Sequence, residues 1–113
     1  SFKMEDIDMC NLISNLLDNA IEAVIKLPEE QRKIDVKMGE KKGYFIVKCQ
    51  NPFNGEYINY NKGYFASTKE NKKDHGYGIK IIREITEKYD GEFLIESSNN
   101  LFNATALLKI NNN

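Results

Sequence analysis

Apolar residues recur at every third or fourth position from residue 5 to residue 27. Leu12, Leu16 and Ala20 belong to this series, and a helix with about 3.6 residues per turn would place them on one side. Pro28 cannot continue a helix, because its ring removes the backbone donor and clashes with the preceding turn. The pattern therefore predicts an amphipathic helix over residues 5–27.

A second helical pattern lies between two predicted hairpins. Residues 79–90 repeat apolar positions with the helical period, and Gly91 is expected to cap the end of this helix. The flanking segments are rich in β-branched and aromatic residues, which indicates antiparallel pairs of strands. The predicted strands are residues 33–38, 44–49, 92–97 and 104–110.

The order of these elements indicates the fold class. The chain of 113 residues fits one compact domain, residues 1–113. Residues 51–74 show no sustained period, and connections of this length in compact domains are usually functional or disordered. We expect an α+β fold of two layers, in which the helices cover one face of a mixed, mostly antiparallel sheet.

Composition narrows the classes of partner. The chain has 41% hydrophobic and 29% charged residues and a formal net charge of -1, without the basic excess that nucleic-acid binding usually leaves. No apolar run approaches the roughly 20 residues that a membrane-spanning helix needs, and no secretory signal is seen at the start. We therefore expect no nucleic-acid partner and no membrane contact by this domain.

The cysteines and the single histidine give no metal-binding pattern. Cys10 and Cys49 lie far apart, and both are expected to be reduced and buried in the core, as free cysteines usually are. His75 stands beside two glycines. We expect it to structure that loop or to contact a phosphate, rather than to accept a phosphoryl group.

Two asparagines lie on the polar side of the first predicted helix. Asn15 and Asn19 are four residues apart, so their side chains project from the same side. Asparagine is a poor helix former, by roughly half a kcal/mol relative to alanine, and a solvated surface would normally use other residues. Either these are ordinary surface residues, or their amide oxygens serve a hard cation such as Mg²⁺.

Two glycines immediately precede the second predicted helix. Gly76 and Gly78 would let a ligand approach the backbone where free N–H groups and the positive helix end favour a phosphate. They could equally be turn formers alone. Upstream, a loop that could close over a triphosphate carries hydroxyl and ammonium groups on Ser67, Thr68 and Lys69.

Together these segments resemble a known family. Residues 11–23, Asn-Leu-Ile-Ser-Asn-Leu-Leu-Asp-Asn-Ala-Ile-Glu-Ala, closely resemble the N-box of histidine kinases, in the ATPase superfamily shared with gyrase and MutL. Residues 63–69 resemble the segment that leads into the ATP lid, and residues 75–80 resemble the second glycine box. The sequences of these motifs are most similar to those of peptide-pheromone receptor kinases of the accessory-gene-regulator type, which implies a role in quorum sensing.

The resemblance implies a Bergerat fold that binds ATP and Mg²⁺. Asn19 would ligate Mg²⁺ and Asn15 would line the phosphate side, with Asn15 and Lys69 as the catalytic residues. The further ATP contacts that it implies are Asn51, Gly55, Ser67, Thr68, His75, Gly76, Tyr77 and Gly78.

Two positions depart from patterns within the superfamily. The ATPases carry a water-activating glutamate at the position of Asn15, so its absence favours phosphoryl transfer over hydrolysis. Histidine kinases typically place an aspartate at the position of Asn51 to accept from the adenine amino group. An amide oxygen can accept the same bond, but a neutral acceptor binds more weakly, so modest ATP affinity is expected.

The resemblance also implies a longer parent protein. The chain would be a fragment of a kinase, the cytoplasmic domain of a bacterial membrane-anchored receptor. Its partners would be the dimerisation helices that carry the phosphoacceptor histidine outside this chain, and a response regulator, with a homodimeric parent. Two alternatives stay open at this point: a nucleotide-binding signalling module without catalysis, and a water-using ATPase.

Overall fold

The computed structural model describes residues 3–54, 58–59, 64–65 and 72–110, with backbone alone for residues 58–59, 64–65 and 72–77. Its helices are α1 (Asp6–Val24) and α2 (Lys72–Lys88), and a single 3₁₀ turn spans Glu29–Gln31. Its strands are β1 (Asp35–Lys41), β2 (Tyr44–Pro52), β3 (Ile58–Asn59), β4 (Tyr64–Phe65), β5 (Glu92–Ser98) and β6 (Leu101–Lys109).

The main sheet has four strands in the order β1-β2-β6-β5, within the described part of the chain, and β3 pairs with β4 separately. Every neighbouring pair is antiparallel. Both predicted hairpins are confirmed. Their turns place two successive residues at positive φ, Lys42 and Gly43 in the first and Asn99 and Asn100 in the second. Two such residues match the right-handed twist of the paired strands.

The two helices cover one face of this sheet, as predicted for an α+β fold of two layers. Alternate residues of β6 point into the core, and α1 and α2 supply its other side. Each large apolar side chain removed from water there stabilises the fold by about 1.5–3 kcal/mol. The core includes Leu12, Leu16 and Ala20 from α1, Ile79, Ile82 and Ile85 from α2, and Phe102, Ala104, Ala106 and Leu108 from β6.

Strand β1 lies at the edge of the sheet, beyond the cover of the helices. Val36 and Met38 pair with the buried Cys49 and Val47, so all four lie on the helix-facing side. Val36 and Met38 are nevertheless 39% and 58% exposed. Val36 and Met38 share one side of the strand, as predicted. Because β1 is an edge strand, that side is open to solvent.

The first helix ends three residues earlier than predicted. Arg32 donates from Nε to the carbonyl oxygen of Leu27 at 3.0 Å and from Nη2 to that of Ile25 at 3.1 Å. The last carbonyls of a helix lack partners within it, so a side chain that folds back satisfies the end of α1 and the turn after it.

The predicted start of the second helix is wrong. Helix α2 begins at Lys72 instead of residue 79, so Gly76 and Gly78 are helical residues. Lysine, aspartate and histidine give no apolar period at residues 72–75, and the two glycines favour a turn when the sequence is read locally. Packing of the helix that they belong to overrides this preference.

Helix α2 ends at Lys88, two residues earlier than predicted. Asp90 takes the left-handed conformation with φ 56°, and the N–H of Gly91 donates to the carbonyl oxygen of Thr86 at 2.8 Å. Gly91 is needed for another reason: a Cβ there would lie 1.7 Å from the carbonyl oxygen of Leu107. The glycine therefore permits a close approach between the helix end and β6.

Both cysteines are free, and only one of them is buried. Cys49 lies in the core as predicted, and burial, aided by the nearby Asp35 carboxylate, raises the pKa of its thiol to about 11. Cys10 is exposed, so its predicted burial is wrong. It lies on the solvent side of α1, one turn from the exposed Ser14.

Candidate functional site

The two asparagines of α1 meet Gly78 of α2. An ideal Cβ placed on Gly78 would lie 3.0 Å from Oδ1 of Asn15 and 3.9 Å from Oδ1 of Asn19. Two amide oxygens from one helix therefore converge beside the backbone of the other helix. The structure thus brings together three of the residues that were predicted from separate motifs.

Helix packing creates this convergence. Leu12, Leu16 and Ala20 are buried, and they hold one side of α1 against the core. Asn19 precedes Ala20 and lies at the border of the buried stripe, where it is only 6% exposed. On α2 the fully buried Ile79 follows Gly78 directly, which fixes the glycine at the contact between the helices.

Asn15 has a fixed side-chain orientation. Its Nδ2 donates to the carbonyl oxygen of Asn11, one turn earlier, at 2.7 Å. That bond uses the donor end of the amide on the helix backbone. The acceptor end, Oδ1, is turned towards Gly78, so Asn15 presents a neutral oxygen to the space between the helices.

Asn19 is buried, and one of its polar side-chain atoms makes no hydrogen bond in the described structure. Its Nδ2 finds no hydrogen-bond partner among the described residues. An unsatisfied buried donor costs about 1–3 kcal/mol, and few such groups occur in folded proteins. The unpaired amide marks the α1–α2 contact as a place where a ligand or water atom would complete the bonding.

Asn51 lies near the end of β2 and is 2% exposed. Its Nδ2 donates to the carbonyl oxygen of Pro52 at 2.8 Å. The amide nitrogen is thus bonded to the neighbouring residue. The amide oxygen is the atom that would accept a hydrogen bond from an adenine amino group. That contact stays a prediction.

A family model described as a GHKL domain matches residues 4–109. The chain belongs to the GHKL family. This agrees with the resemblance of residues 11–23 to the N-box, and it assigns the helix-on-sheet layers to a family that includes the ATPase domains of histidine kinases.

One curated relative is a sensor kinase. The GHKL domain is 26% identical over 101 residues to a probable C4-dicarboxylate sensor kinase of Halalkalibacterium halodurans. The match covers 83% of this chain and 18% of the relative, so the chain spans less than a fifth of that protein's length.

Two solved structures share the fold. The histidine kinase AdeS of Acinetobacter baumannii superposes with a TM-score of 0.67 at 16% identity, over 93% of this chain and 47% of that one. The nucleotide-free catalytic domain of the histidine kinase ThkA superposes with a TM-score of 0.66 at 22% identity, over 92% and 67% of the two chains. The GHKL domain thus has the fold of histidine kinase catalytic domains.

The remaining predicted site residues of the GHKL domain are less fully described. Gly55, Ser67, Thr68 and Lys69 lie outside the described residues. His75, Gly76 and Tyr77 are described in backbone only, within α2. The roles of all these residues stay predictions.

The glycine amides do not occupy the predicted place at a helix start. Only the first four N–H groups of a helix lack partners within it, and in α2 these all precede Gly76. The amides of Gly76 and Gly78 are therefore not among the free donors at that end. Gly78 instead faces Asn15 and Asn19, a contact that the sequence motifs alone did not indicate.

Amide oxygens are the candidate metal ligands that the described residues bring together. No group of three or more His, Cys, Asp or Glu side chains capable of holding a metal ion occurs in the described parts of the chain. The convergent oxygens of Asn15 and Asn19 fit Mg²⁺, which takes oxygen ligands and usually keeps several waters and substrate phosphates. None of the described helices is long and apolar enough to cross a membrane.

Sequence reasoning missed a polar cluster at the C-terminal end of α2, which we call the Tyr89 junction. It consists of Glu5, Asp8, Lys88 and Tyr89. The Tyr89 hydroxyl donates to Oδ2 of Asp8 at 2.6 Å and accepts from the backbone N–H of Glu5 at 3.1 Å. Nζ of Lys88 lies 2.8 Å from the same Asp8 oxygen and 3.4 Å from Oε1 of Glu5.

The junction shifts the titration of its members. Hydrogen bonds from Lys88 and Tyr89 hold the pKa of the Asp8 carboxyl below its ordinary value. Burial, followed by the bond to Asp8, raises the pKa of Tyr89. The hydrogen bond to Asp8 likewise raises the pKa of Lys88. The only local signals were acidic residues in the first turn of α1 and a tyrosine on the apolar stripe of α2.

Proposed function

We propose that this GHKL domain is the ATP-binding catalytic domain of a sensor histidine kinase. It binds Mg²⁺ and ATP between α1 and α2 and transfers the γ-phosphate to a histidine on a dimerisation helix outside the chain. The observation that carries the proposal is the convergence of the Asn15 and Asn19 oxygens at Gly78 in a domain with the histidine kinase fold.

Asn15 and Asn19 have complementary roles in this proposal. The Asn19 oxygen ligates Mg²⁺, and its unpaired Nδ2 suits an acceptor such as water or a phosphate oxygen. The Asn15 oxygen, held by the bond to Asn11, orients the hydrated cation against the phosphates. When bound, Mg²⁺ neutralises charge on the triphosphate, and the protein mainly positions the nucleotide.

Asn15 also supports transfer over hydrolysis. A neutral amide cannot take a proton from an attacking water, so it cannot serve as the general base that a hydrolase needs. One N–H of the amide is bonded to the Asn11 carbonyl, and the oxygen that Asn15 turns towards Gly78 is an acceptor. The γ-phosphate would then await a histidine brought by another domain.

The proposal extends to residues and partners that the resemblance supports. Lys69, with Ser67 and Thr68, contacts the phosphates, and Asn51 accepts from adenine beside Gly55. His75, Gly76 and Tyr77 complete the proposed set of ATP contacts. The parent is a homodimeric membrane-anchored receptor with a response regulator, this domain lies in the cytoplasm, and the system serves quorum sensing.

The test is to mix the domain with the separately prepared phosphoacceptor helices of its parent and γ-labelled ATP. We expect acid-labile phosphohistidine on the helices only when Mg²⁺ is present, and none on the domain alone. Helices whose acceptor histidine is replaced by alanine are the matched control. ATP binding without any transfer would reduce the function to a nucleotide-binding signalling module. Release of phosphate by the domain alone would instead indicate a hydrolase.

A further inference from the structure

Gly78 occupies a position where glycine is unfavourable. It lies in the seventh residue position of α2, and glycine is the poorest helix former after proline. Its φ is not in the left-handed region that would require a glycine. The reason for the glycine must therefore come from what lies beside it.

A side chain at position 78 would press on Asn15. A Cβ would lie 3.0 Å from Oδ1 of Asn15, closer than the roughly 3.3 Å at which carbon and oxygen normally approach. The next atoms are Cγ of Asn15 and Oδ1 of Asn19, both at 3.9 Å. Asn15 is thus the group that would have to move.

Asn15 cannot turn away without losing a bond. Its Nδ2 is held at 2.7 Å by the carbonyl oxygen of Asn11, and rotation of the amide plane would pull the nitrogen off that acceptor. The hydrogen bond and the missing side chain therefore fix the direction of the oxygen together.

We infer that Gly78 is a positioning residue for the nucleotide site. By lacking a side chain, it lets Asn15 keep its bond to Asn11 while presenting its oxygen, beside that of Asn19, to a divalent cation and its waters. This inference rests on the proposed binding of Mg²⁺ and ATP, and it gives Gly78 a role other than a backbone contact to phosphate.

The first test compares Gly78→Ala with Gly39→Ala. Gly39 lies in β1, and a Cβ there meets nothing within 4 Å in the described part of the chain, so it is the matched control. We expect Gly78→Ala to weaken binding of Mg²⁺ and ATP about tenfold in calorimetry, as disturbed outer-shell partners of metal sites typically do. Its thermal midpoint without ligand should stay the same or rise. Unchanged affinity in Gly78→Ala, or an equal loss in Gly39→Ala, would overturn the inference.

A second measurement does not depend on nucleotide binding. The side-chain ¹⁵NH₂ signals of Asn15, assigned by their absence in Asn15→Ala, report the bond to Asn11 by NMR. We expect them to shift in Gly78→Ala and to stay in place in Gly39→Ala. If the wild type bound no nucleotide, the proposed function would fail while this measurement still tested Gly78. Unmoved Asn15 signals in Gly78→Ala would contradict the inference.

A double variant covers the case in which Gly78→Ala does not fold. Asn15→Ala removes the group that a Cβ at position 78 would press on. The variant with both changes should therefore fold, because alanine at 78 then gains helix propensity without the contact. Failure of both variants to fold would show that Asn15 is not the cause.

Discussion

Helix α2 contacts α1 in different ways at its C-terminal end and near Gly78. At the Tyr89 junction, Asp8 receives hydrogen bonds from Tyr89 and Lys88, and the Tyr89 hydroxyl also accepts from the backbone of Glu5. Near Gly78, the amide nitrogen of Asn19 has no partner in the described structure.

A satisfied polar cluster and an unsatisfied one indicate different roles. Hydrogen bonds that are all made contribute to stability, whereas a buried donor left unpaired lowers stability unless something else completes it. The difference teaches that the Tyr89 junction holds the two helices together, while the contact at Gly78 keeps polar atoms available for a ligand. Changes at the first should alter folding, and changes at the second should alter binding.

The largest effect on stability is expected beyond the junction, for Gly91→Ala. The added Cβ would meet the carbonyl oxygen of Leu107 at 1.7 Å, and a backbone atom of the sheet cannot move aside as a side chain can. Overpacking of this kind costs about 1–3 kcal/mol and occasionally more. Denaturant unfolding should show a loss at or above the upper end of this range, and a loss as small as that of Gly39→Ala would be inconsistent with the close approach.

A smaller loss is expected for Tyr89→Phe at the junction. The change removes the hydroxyl that donates to Asp8 and accepts from Glu5, and keeps the ring. Because the site is partly open to solvent, we expect a loss of about 1 kcal/mol in the free energy of unfolding. Tyr44→Phe removes a tyrosine hydroxyl from strand β2 instead, and it is the control for this change. Affinity for ATP should change little, and a loss of binding without a loss of stability would contradict the proposed division between the Tyr89 junction and the contact at Gly78.

The pH dependence should sharpen the same comparison. The pKa of Asp8 is lowered in the folded state, so its stabilising effect is present above its unfolded pKa of about 4 and is lost as pH falls through the lower folded value. Asp8→Asn should therefore reduce the thermal midpoint at neutral pH and flatten its fall in acid. Parallel midpoint curves for the wild type and the variant from neutral to acid pH would count against this role.

At high pH the stability contributed by the junction falls as the pH rises, which is the opposite direction to the effect of Asp8. The pKa values of Tyr89 and Lys88 are raised in the folded state, so their contribution is present below about pH 10 and declines as pH rises through the folded values.

The smallest effect on folding is expected for Asn19→Ala. This change removes an unpaired buried donor and leaves a better helix former, so the free energy of unfolding should change by less than about 1 kcal/mol. Thermal unfolding without ligand is the measurement. A loss as large as that of Gly91→Ala would show that Asn19 holds the fold instead of serving the site.

Local patterns were enough to predict most of the architecture. The burial of Leu12 and Leu16 follows from helical spacing, and both hairpins follow from alternation and turn residues, because each signal lies within a few residues. The start of α2 was not predictable in this way. Residues 72–75 are polar, and Gly76 and Gly78 oppose a helix when read locally.

Local patterns predict only part of the candidate site, because its residues are far apart in the sequence. The spacing of Asn15 and Asn19 predicts that they share one side of α1, and the glycine motif marks residue 78. Their meeting depends on how two helices pack, which no local pattern contains. The pairing of Asp8 with Tyr89, 81 residues apart in the chain, has no local signal at all.

The most direct test of the account is a calorimetric titration of ATP into the wild type and into Asn19→Ala, each with and without Mg²⁺. We expect the wild type to bind ATP more tightly with Mg²⁺ than without it, and Asn19→Ala to bind equally weakly in both conditions. If both proteins gain the same affinity from Mg²⁺, the paired amides at Gly78 are not the cation site, and the central claim is wrong.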